Sequence, residues 1–98
     1  MKIEKTLNGN ALKVAVEGRL DTMTAPELDA SLKDSIVGVK ELTLDLGALE
    51  YISSAGLRVL LSAHKAMSAK DGMKVVHVNE LVREVFDVTG FSDILTIE

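Results

Sequence analysis

The chain has 98 residues, 47% hydrophobic but only 3% aromatic, which suits one domain with an aliphatic core of Val, Leu, Ile, Ala and Met. It carries 11 Lys and Arg against 15 Asp and Glu, and the resulting net charge of −4 opposes a nucleic-acid partner. The absence of cysteine excludes disulfides, thiolate metal sites and Cys nucleophiles, and no apolar run reaches the ~20 residues of a membrane span.

The start, Met1-Lys2-Ile3-Glu4-Lys5, alternates charge and lacks the apolar stretch of a signal peptide, so a cytoplasmic protein is expected. Lys2 to Leu7 reads as a first strand, and Asn8-Gly9-Asn10 as a turn. Ala11 to Glu17 alternates, with Leu12, Val14 and Val16 on one face, and should close a hairpin. A helix follows. Thr24 and Glu27 have capping-box spacing, Met23 and Leu28 stand at the positions of a hydrophobic staple, and Pro26 falls in the first turn. Leu28, Leu32 and Ile36 recur at helical spacing and predict its buried stripe.

Glu41 to Leu46 alternates as a strand, followed by a short loop into Tyr51-Ile52-Ser53-Ser54-Ala55-Gly56-Leu57-Arg58. A second helix is predicted from about Ala55 to Ala69, ending before Asp71-Gly72, with Leu57, Leu60, Leu61 and Met67 on one face. Met73 to Val78 is nearly all apolar, as expected of a strand buried on both faces. Asn79 can cap a third helix carrying Leu81, Val82, Val85 and Phe86, and Gly90 can end it in the left-handed conformation. Ile94 to Ile97 is a closing strand. The predicted order is β-β-α-β-α-β-α-β. Strands alternating with helices imply an α/β fold with right-handed crossovers and a mixed, mostly parallel sheet in a single domain over residues 1–98.

Little catalytic chemistry is visible. A nucleophile elbow needs glycine two residues to each side of its serine; Gly56 follows Ser54 at that distance, but Ile52 precedes it. Ser62-Ala63-His64-Lys65 matches a Ser-x-x-Lys string by chance, inside a helix and without companion motifs. His64 and His77 are read as packed histidines, since the acids near them in sequence, Asp71 and Glu80, stand at no ligand spacing, and no metal is expected. Gly38 and Gly72 are isolated turn glycines. Without a glycine-rich phosphate loop the chain is expected to bind neither ATP nor another cofactor itself. A serine at the start of the second helix can cap its free N–H groups, or can stand where a phosphate would be held.

Tyr51-Ile52-Ser53-Ser54-Ala55-Gly56-Leu57 resembles the phosphorylation-site loop of STAS domains, the anti-sigma factor antagonist family. Gly18-Arg19-Leu20-Asp21 with Thr24-Ala25 is similar to the segment before that family's first helix. Leu44-Asp45-Leu46 resembles the strand leading into its loop. Val82-Arg83-Glu84-Val85-Phe86 with Thr89-Gly90-Phe91 resembles its last helix and exit. The resemblance covers nearly the whole chain and implies a right-handed β-α superhelix. In the family the phosphorylated residue directly precedes a small residue and then Gly-Leu, which carries over to Ser54. Ser53 stands where many phosphorylated members have Asp, and is the secondary candidate. Asp21 matches an acidic position expected near the loop; it reads equally as a turn residue before the first helix.

The resemblance implies a partner-switching antagonist. Unmodified, a surface of Asp21, Thr24, Ser53, Ser54, Ala55, Gly56, Leu57 and Arg58 would bind an anti-sigma factor that is also a serine kinase, freeing a sigma factor. The kinase would use its own ATP to phosphorylate Ser54, and a phosphatase would reset the switch. Arg58 stands where several members have a smaller residue. The alternative keeps the fold without phosphorylation: a STAS subunit of a larger signalling or lipid-transport assembly, its serines only capping. A small hydrolase using Ser54 with His64 or His77 is the remaining reading, from another class.

Overall fold

A computed structural model describes all residues, Met1–Glu98. Strands β1 (Lys2–Asn8) and β2 (Ala11–Leu20) form the expected hairpin, followed by α1 (Ala25–Ser35), β3 (Glu41–Asp45), β4 (Leu49–Ile52), α2 (Ser54–Ser68), β5 (Met73–Val76), α3 (Glu80–Thr89), a 3₁₀ turn (Phe91–Asp93) and β6 (Thr96–Ile97). The sheet runs β1-β2-β3-β5-β6, with β1 and β2 antiparallel and the other pairs parallel. A mixed, mostly parallel α/β sheet is therefore present.

One strand is missing from the sequence-based order. Leu49–Ile52 is not loop but β4, which pairs in parallel with the second half of β2. Its ends, Leu49 and Ile52, are buried while Glu50 and Tyr51 between them are exposed, so the segment shows neither alternation nor a solid apolar run. β2 serves both neighbours because it is longer than expected: Ala11–Ala15 pairs with β3 and Gly18–Leu20 with β4. Within the β2–β4 pairing the register shifts between Gly18 and Arg19, and Gly18, at φ 100°, takes a conformation there that a side chain would strain.

The start of α1 also differs. The Thr24 hydroxyl does not cap the helix; it donates to the Arg19 carbonyl at 2.7 Å and accepts the Asp21 N–H at 2.9 Å. Met23 is 86% exposed, so no staple forms with the buried Leu28. The strand predicted over 73–78 stops at Val76, and Lys74 within it is exposed. The sheet is covered by helices on one face only, which is why β2 alternates buried Leu12, Val14 and Val16 with exposed Lys13 and Glu17. The last strand shrinks to Thr96–Ile97 because Phe91–Asp93 takes a 3₁₀ turn. Gly90 ends α3 at φ 83°, in the left-handed conformation as predicted.

Twenty-three buried hydrophobic residues form one core, and no polar or charged residue is buried. Phe86 is its one aromatic member; Leu20, Leu28, Leu44, Leu60 and Val75 are among its wholly buried aliphatic side chains.

Candidate functional site

The parallel pairing of β2 with β4 brings two helix entrances side by side. Leu20 pairs with Ile52, and the Ser53 N–H donates to the Leu20 carbonyl at 2.9 Å. The chain leaves β2 through Asp21–Thr24 into α1, and leaves β4 through Ser53 into α2. Both exits lie at the carboxyl ends of parallel strands, where open α/β sheets place their functional loops.

The two serines divide their tasks. Ser53 is extended (φ −98°, ψ 176°) and its hydroxyl accepts the Gly56 N–H at 3.4 Å, which makes it the N-cap of α2. Ser54 is the first helical residue. It is exposed, and its hydroxyl has no hydrogen-bond partner in the protein. Arg58, one turn on along the same face, is also exposed and enters no ion pair. Ala55 is half-buried, whereas Gly56 and Leu57 are buried and support the loop from beneath instead of forming its surface. Ser53→Ala is expected to lower stability by about 0.5–1 kcal/mol, toward the small end for a cap because the bond is long, while Ser54→Ala should leave it nearly unchanged; paired denaturant melts measure both.

Asp21 is a turn residue before α1, and it directly follows Leu20, whose carbonyl accepts the Ser53 N–H. Its Oδ1 accepts the N–H groups of Met23 (3.0 Å) and Thr24 (3.1 Å). The Thr24 N–H foremost, then that of Met23, the Thr24 hydroxyl and the Arg19 guanidinium hold its carboxyl below the usual 3.8, with desolvation opposing. Because it titrates lower in the folded state than in the unfolded chain, its stabilisation is full above the unfolded pKa and fades as pH falls through the folded one. Asp21→Asn is thus expected to melt below wild type at pH 7, with the gap closing as the pH drops below about 4; melts over a pH series read this directly.

Two side-chain contacts made by strand pairing have no signal in the sequence. Arg19 pairs across the strands with Tyr51; its guanidinium lies 4.4 Å from the centre of the Tyr51 ring, and its Nε is 3.8 Å from Asp21 Oδ2. His77 is not packed in a strand. It lies just past β5 at φ 57° with its side chain 66% exposed, and its Nδ1 is 3.1 Å from Asp45 Oδ2. Asp45 also accepts the Gly47 N–H at 2.9 Å, and that bond, then His77 and Lys13, keeps its carboxyl below the usual range. Pairing of β3 with β5 creates this contact, and no spacing in the sequence signals it. His64 is half-buried, and its Nδ1 is buried without a partner. Its neighbours one turn away are Leu60, Leu61 and Met67, and the Ser68 hydroxyl is turned to the Lys65 carbonyl.

The STAS domain family profile matches residues 2–98. The chain is a STAS domain. A curated relative from Bordetella bronchiseptica, BtrV, is named as an anti-sigma factor antagonist; it is 35% identical over 99 residues, covering 99% of this STAS domain and 85% of BtrV. The crystal structure of an anti-sigma factor antagonist from Mycobacterium paratuberculosis superposes with a TM-score of 0.89 at 24% identity, covering 98% of this chain and 83% of that one. The Bacillus cell fate determinant SpoIIAA, solved in its phosphorylated form, shares the fold with a TM-score of 0.76 at 16% identity, over 99% of this chain and 91% of that one. No helix of this STAS domain is long and apolar enough to cross a membrane.

Proposed function

We propose that this STAS domain is an anti-sigma factor antagonist, switched off by phosphorylation of Ser54. The names of its relatives support the first part, and the phosphorylated form of SpoIIAA is a precedent in the same fold for the second. The observation that carries the assignment is the division between the serines: Ser53 spends its hydroxyl on the cap, and Ser54 presents a free, exposed one.

In the unmodified state the surface of Ser54, Arg58, Asp21 and Thr24 docks on an anti-sigma factor with serine kinase activity, and a sigma factor is released. The kinase then transfers the γ-phosphoryl group of its own ATP. The Ser54 Oγ–P bond forms, the bond from phosphorus to ADP breaks, and the hydroxyl proton passes to a base of the kinase. The product carries about −1.5 to −2 charges at neutral pH. At the first residue of α2 that charge meets the free N–H end of the helix, which favours it by about 0.3–1 kcal/mol. The domain stays folded while its docking surface becomes negative. Asp21, ionised at neutral pH, adds to the negative field there. A phosphatase restores the hydroxyl by hydrolysis of the O–P bond.

Phosphotransfer tests the assignment. Incubated with the cognate anti-sigma kinase and ATP, wild type and Ser53→Ala are expected to gain the mass of one phosphate and Ser54→Ala none. Loss of labelling in Ser53→Ala alone would move the site to Ser53. No mass gain in any form would leave a STAS subunit that works without phosphorylation.

A further inference from the structure

Helix α3 has two apolar faces, and the core uses one. Val82 and Phe86 are wholly buried. Leu81 is 54% exposed and Val88 81% exposed, with Val85 half-buried between them. The spacing 81, 85, 88 is i, i+4, i+7, so the three form one ridge along the helix. With Glu84 and Thr89 they line a shallow groove of about 360 Å³. The outer side of the ridge is acidic. Arg83 is held by Asp87 at 3.6 Å, while Glu80 and Glu84 enter no ion pair.

We infer that this ridge docks an amphipathic helix of a partner protein, one with an apolar stripe bordered by Lys or Arg. The apolar ridge supplies the burial, and the two unpaired carboxylates select a cationic rim. A second copy of this chain fits poorly. Two-fold pairing of α3 would bring the four unpaired carboxylates of two copies of Glu80 and Glu84 into one interface. An anionic membrane would be repelled by the same carboxylates. The surface is separate from the serine loop: α3 packs against β4, and the Asn79 amide donates to the Leu49 carbonyl at 2.6 Å, at the end of β4 opposite Ser53. The inference therefore stands whether or not Ser54 is phosphorylated.

The probe is a helical peptide of about four turns with leucines at i, i+3, i+4 and i+7 and lysines elsewhere, beside a counterpart with glutamate for every lysine. Each is titrated into the full ¹⁵N-labelled chain. The lysine peptide is expected to shift amides of α3 at saturable concentrations, and the glutamate peptide to leave them unmoved. Leu81→Ser with Val88→Ser should weaken binding at least tenfold, and Glu80→Gln with Glu84→Gln about threefold to tenfold. All four side chains are exposed, so the serine variant should melt close to wild type; Glu80→Gln removes an anion from the first turn of α3 and should melt slightly lower, so binding is compared at a temperature where every variant is folded. Four results would overturn the inference: shifts centred away from α3, unchanged affinity in the serine double variant, equal binding of the glutamate peptide, or α3 shifts that grow with protein concentration alone, which would indicate self-association.

Discussion

Gly56→Ala is expected to destabilise the domain by about 2 kcal/mol, although alanine is the better helix former. In an exposed helix the change would gain about 1 kcal/mol. Gly56, however, faces inward from the first turn of α2. A Cβ there would lie 2.7 Å from Leu20 Cγ, 2.9 Å from Ile52 Cγ1 and 3.0 Å from Leu20 Cδ2. Leu20 is wholly buried and Ile52 is 3% exposed, so neither can swing away. Overpacking of this kind costs about 1–3 kcal/mol, occasionally more, and here it exceeds the helix gain. For a domain of this size the melting temperature should fall by roughly 8–16 °C. The same clash would push α2 away from the β2–β4 exits and displace Ser54, so labelling by the kinase should fall as well. A melting temperature equal to or above wild type would show that the first turn has room the structure does not show.

Ser54→Asp is expected to separate binding from stability. The substitution puts a carboxylate at the first position of α2, where the helix end favours an anion by about 0.3–1 kcal/mol. Ser54 is exposed and its hydroxyl is unbonded, so the fold loses nothing. Stability should stay within about 0.5 kcal/mol of wild type. Binding is another matter. A carboxylate pressed into an interface shaped around a neutral hydroxyl is desolvated without a partner there. A cost of about 3 kcal/mol corresponds to roughly a hundredfold loss of affinity. Arg58, one turn away, will offset part of that charge. Ser54→Asp with Arg58→Ala should therefore bind more weakly still.

The helices were legible where their buried stripes repeat: Leu28 and Leu32 in α1, Leu57, Leu60 and Met67 in α2, Val82 and Phe86 in α3. Their entrances were legible only where the capping partner is local. Asn79 caps α3 through the Val82 N–H at 2.9 Å, three residues on, as its position suggested. Thr24 has the same local opportunity at α1, but its hydroxyl is taken by Arg19 and Asp21, which the end of β2 places beside it. β4 was hidden because its burial depends on its partner β2, not on its own pattern. The serine pair shows the division most clearly. The sequence offers two adjacent hydroxyls at a helix start, and a shift of one residue in that start exchanges their roles. The structure begins α2 at Ser54, which leaves Ser53 as the cap. Arg19 with Tyr51 and Asp45 with His77 are products of strand pairing alone.

The proposed switch is one exposed hydroxyl, and a calorimetric titration tests it most directly. The cognate anti-sigma factor kinase, without ATP, is titrated with the unmodified chain and with Ser54→Asp, each first shown by melting to be equally stable. The prediction is tight binding by the unmodified chain and binding weakened roughly a hundredfold by the single carboxylate. Equal affinity of the two forms at equal stability would contradict the account, because the surface around Ser54 would then not be where the partner docks.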